Sequence, residues 1–196
     1  MANLASPSAL GTFDNVDAVR AAYPMTMVEE KIGDLRELIS KTPPGNSNHN
    51  THIKDLVDWH KTKFSHTNDI TDLEEVIKCR RVLLASVDTS HLHGFLPVRS
   101  LGFDLYMAFK CSNKMEYLDE SITVLRGFLE MQCAQPFLFG LIEQLLASLF
   151  ERLKLLGRTQ DLDEIIKLFP LGVNNKFEKV SNRFAFSDVP GPAQRN

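Results

Sequence analysis

The fold of this chain is decided by the hexapeptide Asp72-Leu73-Glu74-Glu75-Val76-Ile77, because similar hexapeptides follow at two later places. The second copy is residues 117–122 (YLDESI), and the third is residues 161–166 (DLDEII). The leucines of successive copies are 45 and 44 residues apart. A near-constant period of this size is typical of proteins built from stacked helical repeats.

Each hexapeptide is predicted to open the second helix of a helical hairpin. Counted back from the three leucines, apolar residues recur at the same positions of a first helix, which places them on one helical face. The aligned sets are Ile53, Val98 and Ile142; Leu56, Leu101 and Leu145; and Phe64, Phe109 and Leu153. The links at 66–69, 112–114 and 157–160 have the small, polar or glycine residues that close such hairpins.

The second helices are predicted to bury the leucine and the isoleucine of each hexapeptide. The predicted helices are 71–86, 116–131 and 160–168, with the last one cut short by Pro170 and Gly172. The predicted inward residues are Leu73, Ile77 and Leu84, then Leu118, Ile122 and Leu129, then Leu162 and Ile166. The acidic residues lie in the first turn, where each complements the unpaired backbone N–H groups by about 0.3–1 kcal/mol.

Further helices are predicted on both sides of these hairpins. Residues 14–22 and 26–40 carry helical apolar spacing, and the polar stretch 46–50 indicates a loop. Residues 174–184 carry Phe177, Val180 and Phe184 at helical spacing and predict a weak terminal helix.

These elements predict one all-α domain over residues 13–184, arranged as a right-handed solenoid of about three and a half hairpins. We expect a flexible N-terminus at 1–12 and a disordered tail at 185–196, because both are rich in small or turn-forming residues.

The composition favours a soluble cytoplasmic protein. The chain has 196 residues, a net charge of −3 and 43% hydrophobic residues, so it lacks the basic excess of proteins that bind nucleic acid or anionic membranes. Its three cysteines form no C-x-x-C pair and are expected to be free thiols in a reducing compartment. The sequence shows no secretory signal and no apolar stretch long enough to span a bilayer.

The repeated frame resembles the tetratricopeptide-like (TPR-like) repeats of fungal proteins. That frame is Leu-x-x-Leu, then Phe, then Asp-Leu-Glu-Glu-x-Ile, then Arg and Leu, and the loop Thr42-Pro43-Pro44-Gly45 is similar to the family's inter-repeat loop. In that family the arrays stand next to CHAT or NB-ARC domains. The resemblance covers residues 26–170, and it implies that residues 33–39 are an earlier copy of a second helix and that Gly102 permits close helix contact.

The chain also departs from that family. The family often has alanine before the closing isoleucine, where this sequence has Val76, Ser121 and Ile165. Because only 20 residues follow residue 176, no CHAT domain is expected after the repeats.

No residue pattern indicates catalysis, a metal site or a cofactor. The histidines His91 and His93 give two ligands where zinc needs about four, and no glycine-rich phosphate loop occurs. The alternative of an enzyme or an enzyme-accessory protein would place a pocket near Cys79, His60 or His91. The neighbouring Arg80 and Arg81 could lower the pKa of Cys79, although burial of its thiol is the stronger interpretation.

The leading functional prediction is a non-catalytic module that binds a protein or peptide partner in the concave groove of the solenoid. The groove is expected to be lined by the first helices, and the predicted binding residues are Lys54, Trp59, Arg99, Phe103, Tyr106 and Phe150. Exposed aromatic side chains can anchor a partner peptide, but they can equally pack against the neighbouring first helix. A third hypothesis is a truncated fragment that forms homo-oligomers through the apolar flank of its terminal repeat.

Overall fold

The protein is all-helical throughout the residues that its computed structural model describes, which are 16–87, 95–131 and 139–173. Those residues form eight helices and no strand. The helices are α1 (Val16–Ala22), α2 (Met25–Lys41), α3 (Ser47–Thr67), α4 (Ile70–Ala85), α5 (Phe95–Ser112), α6 (Met115–Met131), α7 (Phe139–Leu156) and α8 (Thr159–Val173). The predicted terminal segments 1–12 and 185–196 and the predicted helix 174–184 lie outside the described residues.

The three predicted hairpins are present, and each turns at a residue in the left-handed conformation. Asn68, Asn113 and Gly157 follow α3, α5 and α7 with φ values of 51°, 54° and 63°. The backbone N–H of each donates to the carbonyl four residues earlier, over 2.8, 2.7 and 2.8 Å respectively. Asparagine and glycine are the residues that enter this conformation most readily, so the sequence of each link ends the first helix and reverses the chain.

Two predicted helix boundaries are wrong. The first hairpin begins at Ser47 within the predicted loop 46–50, because the Asn46 side chain accepts a hydrogen bond from the Asn48 N–H over 2.9 Å and caps the helix. The last helix runs through Pro170 to Val173 instead of ending before it. Pro170 lacks the N–H that would bond the Ile166 carbonyl, so the helix loses one hydrogen bond near its end, and only three residues follow.

The hexapeptides form the core in the first two hairpins but only partly in the third. Leu73, Ile77, Leu118 and Ile122 are at most 1% exposed, as predicted. The prediction that Leu162 and Ile166 point inward is wrong, since they are 40% and 61% exposed. In the third copy the buried side chains are instead Asp161 and Ile165.

A repeated ion pair joins each second helix to the next one. Guanidinium groups contact carboxylates in three pairs, Arg36–Glu75 at 3.8 Å, Arg81–Glu120 at 2.7 Å and Arg126–Glu164 at 2.6 Å. The three arginines are spaced by 45 residues, and the three glutamates by 45 and 44. The glutamates belong to the repeated hexapeptide, so its acids join neighbouring hairpins. The prediction that they lie in the first turn is wrong, since each is the sixth residue of its helix and the first-turn acids are Asp72, Glu116 and Asp161. We call these pairs the Arg–Glu ladder.

The ladder indicates that α2 corresponds to the second helix of a hairpin, one repeat before α4. Arg36 of α2 contacts Glu75 of α4, as Arg81 of α4 contacts Glu120 of α6. Val28 and Ile32, which lie 45 residues before Leu73 and Ile77, are also buried. The described chain therefore holds four helices in the second-helix role, α2, α4, α6 and α8.

Close approach of α5 and α6 depends on Gly102. A Cβ atom at this position would lie 2.6 Å from Cδ2 of Leu125, whose side chain is fully buried. The Gly102 carbonyl also accepts a hydrogen bond from the Ser121 hydroxyl over 2.8 Å. A larger residue would separate the two helices, because Leu125 and Ser121 are both fully buried against this position.

Candidate binding surface

Helices α5 and α7, the first helices of neighbouring hairpins, lie directly against each other. Arg99 Nε of α5 donates to the Gly140 carbonyl of α7 over 3.2 Å, and Lys110 Nζ donates to Glu151 Oε1 over 3.4 Å. Burial, together with the charge of Glu151 and a hydrogen bond to it, raises the pKa of Tyr106 to about 12. These contacts are distributed along the length of the helix pair and hold its surface in one arrangement.

Three of the predicted binding aromatics lie on this helix pair, and all three are half-buried. Phe103 and Tyr106 belong to α5 and Phe150 to α7. Tyr106 and Phe150 pack against the core of the last two hairpins, while the Lys61 ammonium lies 5.9 Å from the centre of the Phe103 ring. The rings are therefore fixed on one side and accessible on the other, an arrangement that suits a contact surface.

Trp59 does not belong to this surface, so its placement among the binding residues is wrong. Its side chain is 6% exposed and packs edge-on against Tyr23, with ring centres 5.4 Å apart. Trp59 is instead packed in the core, because the segment around α1 and the start of α2 covers the side of α3 that carries it.

The two predicted basic residues are exposed. Lys54 lies on α3, and Arg99 lies near the start of α5. Arg99 donates through Nε to the Gly140 carbonyl. Charged side chains of this kind belong to the rim of an interface, where they influence the rate and specificity of association more than its affinity.

Behind the surface lies a buried ionic cluster that sequence reasoning missed. The Asp104 carboxylate on α5 is fully buried and contacts Lys61 Nζ of α3 at 2.6 Å and Arg80 Nε of α4 at 3.1 Å. Three helices thus meet at one carboxylate. Because Lys61 also lies over Phe103, Asp104 helps to place the cation and the ring of the surface. The signal in the sequence was a single acid within the apolar run 101–109.

Of the residues of the enzyme alternative, His60 is buried and Cys79 is partly buried. Burial, with a smaller contribution from the Glu75 charge, raises the pKa of Cys79 against the opposing charges of Arg36 and Arg80, which favours the protonated thiol. His60 is buried, with Nδ1 3.2 Å from Asp72 Oδ1 and Nε2 3.5 Å from Arg36 Nη2. His91 lies outside the described residues.

Over 16–87, 95–131 and 139–173, no group of three or more histidine, cysteine, aspartate and glutamate side chains is arranged to hold a metal ion. In the same part of the chain, every helix is too short or too polar to cross a bilayer.

Comparison of the chain with protein families, with curated proteins and with solved structures found no match.

Proposed function

We propose that this protein is a non-catalytic protein–protein interaction module. In this proposal it is a right-handed solenoid of TPR-like hairpins in the cytoplasm, and the surface of its first helices holds a segment of a partner protein. The observation that carries the proposal is the set of half-buried rings of Phe103, Tyr106 and Phe150 on two helices that are fixed against each other.

Preorganisation of the surface supports this function. Asp104 draws Lys61 towards Phe103, while Glu151 contacts Lys110 and is hydrogen-bonded to Tyr106. A partner segment that binds there need not order these side chains, and each rotamer-rich side chain that is already fixed saves about 0.5–1.5 kcal/mol of binding entropy. The exposed Arg99 adds positive charge one helical turn before Phe103 on α5, and Lys54 is a further exposed cation on α3.

The enzyme alternative has less support from the described residues. A catalytic thiol needs a lowered pKa and access to substrate, whereas burial raises the pKa of Cys79. His60 is enclosed by Asp72 and Arg36, and burial lowers its pKa. Both residues are accounted for by packing between α2, α3 and α4.

The test is selection of a random peptide library against the full-length protein, followed by measurement of affinity with fluorescently labelled peptides. We expect selected peptides to bind at least tenfold more weakly to the Phe103→Ala/Phe150→Ala variant. Val82→Ala is the matched control, because Val82 is 50% exposed on α4, away from the first helices. Circular dichroism and melting temperature would establish that each variant is folded.

Two results would contradict the proposal. One is a library that yields no peptide bound by the wild-type protein but not by an unrelated helical protein. The other is a set of peptides whose affinity is equally unaffected by the Phe103→Ala/Phe150→Ala and Val82→Ala changes.

A further inference from the structure

A buried histidine joins α3 to both α2 and α4. His60 of α3 is 2% exposed, with Nδ1 at 3.2 Å from Asp72 Oδ1 of α4 and Nε2 at 3.5 Å from Arg36 Nη2 of α2. The aligned residues of the later hairpins are Leu105 and Leu149, which are fully buried. Among these three aligned positions, only the first carries a side chain whose charge can change near neutral pH.

The two partners of His60 admit only one form of its ring. A carboxylate only accepts hydrogen bonds and a guanidinium only donates them, so Nδ1 carries the hydrogen towards Asp72 and Nε2 offers its lone pair to Arg36. Protonation of the ring places a second N–H at Nε2, opposite the N–H of Arg36, and gives both facing groups a positive charge. The contact between α2 and α3 then changes from attraction to repulsion.

The other charged groups at this junction are already engaged by further partners. The Asp72 carboxylate favours a charged ring, but it also accepts from the Thr67 hydroxyl over 3.1 Å and lies 3.7 Å from Lys63 Nζ of α3. Glu75 of α4 lies 3.8 Å from Arg36 Nη2 and is paired with that guanidinium. The acids of α4 are thus shared with Lys63 and Arg36, so a further positive charge on the ring is only partly compensated.

The contact holds the cover of one apolar face of α3. Leu56 and Trp59 of α3 pack in one cluster with Tyr23 and with buried residues of α2. Residues 42–46 connect α2 to α3, and α3 is the main packing partner of both α1 and α2. We propose that protonation of His60 weakens the docking of α1 and α2 on α3, which makes the cover over Leu56 and Trp59 sensitive to acid.

The direction of the effect follows from the burial of the ring. Burial lowers the pKa of His60 from its ordinary value of 6.5 against the opposing hydrogen bond and charge of Asp72, and the Arg36 charge adds to the lowering. Opening of the junction returns the ring to water and to its ordinary pKa, so the open form takes up a proton that the closed form resists. Opening is therefore favoured as the pH falls below about 6.5, by at most about tenfold per pH unit because one proton is involved.

Peptide-resolved hydrogen exchange of the full-length protein at about pH 7.5 and about pH 5 tests this proposal. After correction for the pH dependence of the chemical exchange rate, we expect the amides of α2 to exchange at least about threefold faster at the lower pH. The amides of α6 should keep their corrected rate, which makes them a reference within the same molecule.

Three variants identify the group responsible. His60→Leu, which has the residue of the later hairpins, should abolish the acceleration, while His52→Leu, which removes a half-buried histidine of the same helix, should retain it. Arg36→Gln should reduce the acceleration, because an amide can accept from a charged ring and donate to a neutral one. Arg36 is 57% exposed, so this variant is expected to fold even if His60→Leu does not.

Three results would overturn the proposal. One is an α2 whose corrected exchange rate is the same at both pH values. Another is equal acceleration of α2 and α6, because the whole chain would then be opening. The third is an acceleration in Arg36→Gln as large as that of the unmodified protein, because the contact between the ring and the guanidinium would then have no part in the response.

Discussion

The middle hairpin, α5–α6, and the last hairpin, α7–α8, carry similar hexapeptides, but the leucine and isoleucine of the two copies differ in burial. In the middle hairpin Leu118 and Ile122 are fully buried, while in the last one Leu162 and Ile166 are exposed. The difference lies outside the hexapeptide, because only α6 is followed by another described first helix. The repeat therefore specifies which face must be covered, and the next hairpin determines whether it is covered.

The two hairpins also differ in how the first helix meets the second. In the last hairpin Arg152 of α7 forms two hydrogen bonds with the buried carboxylate of Asp161 at the start of α8, over 2.6 and 3.0 Å. The aligned residues of the middle hairpin are Ala108 and Tyr117, and the Tyr117 hydroxyl donates to Glu74 of α4 over 2.6 Å. The contact between the first and second helices is ionic in the last hairpin and mainly apolar in the middle one, so the hairpin forms with either kind of contact.

The largest expected effect comes from breaking the ionic junction. Arg152→Ala should lower the free energy of unfolding by about 3–5 kcal/mol, because it leaves the Asp161 carboxylate buried without its main partner. Urea denaturation followed by circular dichroism would measure the loss.

Transplanting the middle junction should restore much of that stability. In Arg152→Ala/Asp161→Tyr the new ring would fill the junction, and its hydroxyl would have Asp119, which aligns with Glu74, as acceptor. We expect recovery of at least half of the loss, with Arg152→Ala/Asp161→Ala as the control that removes both charges without adding a ring. A tyrosine double variant no more stable than Arg152→Ala alone would show that the two junctions are not interchangeable.

The next effect concerns the covered face of the middle hairpin. Leu118→Ala should lower the free energy of unfolding by about 2–5 kcal/mol, since the side chain is fully buried and its loss leaves a cavity between α6 and α7. Leu155→Ala on α7 is the control, with an expected change within about 0.5 kcal/mol because Leu155 is 56% exposed. Comparable losses in the two variants would contradict the assignment of the buried face.

Each pair of the Arg–Glu ladder should contribute much less to the free energy of unfolding than a buried leucine does. A double-mutant cycle of Arg81→Ala and Glu120→Gln is expected to give a coupling energy of about 0.2–1 kcal/mol, because both side chains are partly exposed. The coupling should fall when the cycle is repeated in about 1 M salt, where the Debye length is only about 3 Å. A coupling that salt leaves unchanged would mean that the pair acts through packing and not through charge.

The smallest expected effect is a pH dependence confined to the first hairpin. Burial lowers the pKa of His60 from its ordinary value of 6.5, against the opposing effects of Asp72 and Glu75 of α4 and together with the Arg36 charge of α2. The unfolded chain then binds a proton that the folded chain resists, so stability is complete above about pH 6.5 and decreases as the pH falls below it. Leucine stands at the aligned positions of the later hairpins, so His60→Leu should flatten this slope in unfolding experiments between about pH 5 and 7. An unchanged slope would assign the pH dependence to other groups.

The helices that carry the aromatic residues of the candidate surface could be predicted from the sequence, but the neighbours of those residues could not. The helical period placed Phe103, Tyr106 and Phe150 on the first helices, and the structure finds them half-buried there. Trp59 was assigned to the same surface because its spacing fits, but Tyr23 covers it. Periodicity identifies a face of a helix without identifying its neighbour, and Tyr23 lies 36 residues away in the sequence.

The sequence by itself determined the hairpins of this protein. The 44–45-residue period, the apolar stripes and the link residues Asn68, Asn113 and Gly157 are local properties, because helical spacing and left-handed caps depend on residues only a few positions apart. Tertiary structure alone decided which apolar faces are covered, which arginine meets which glutamate, and how Lys61 and Arg80 converge on Asp104. Those outcomes depend on how neighbouring hairpins pack, which brings together charged side chains that are 24 to 43 residues apart in the chain.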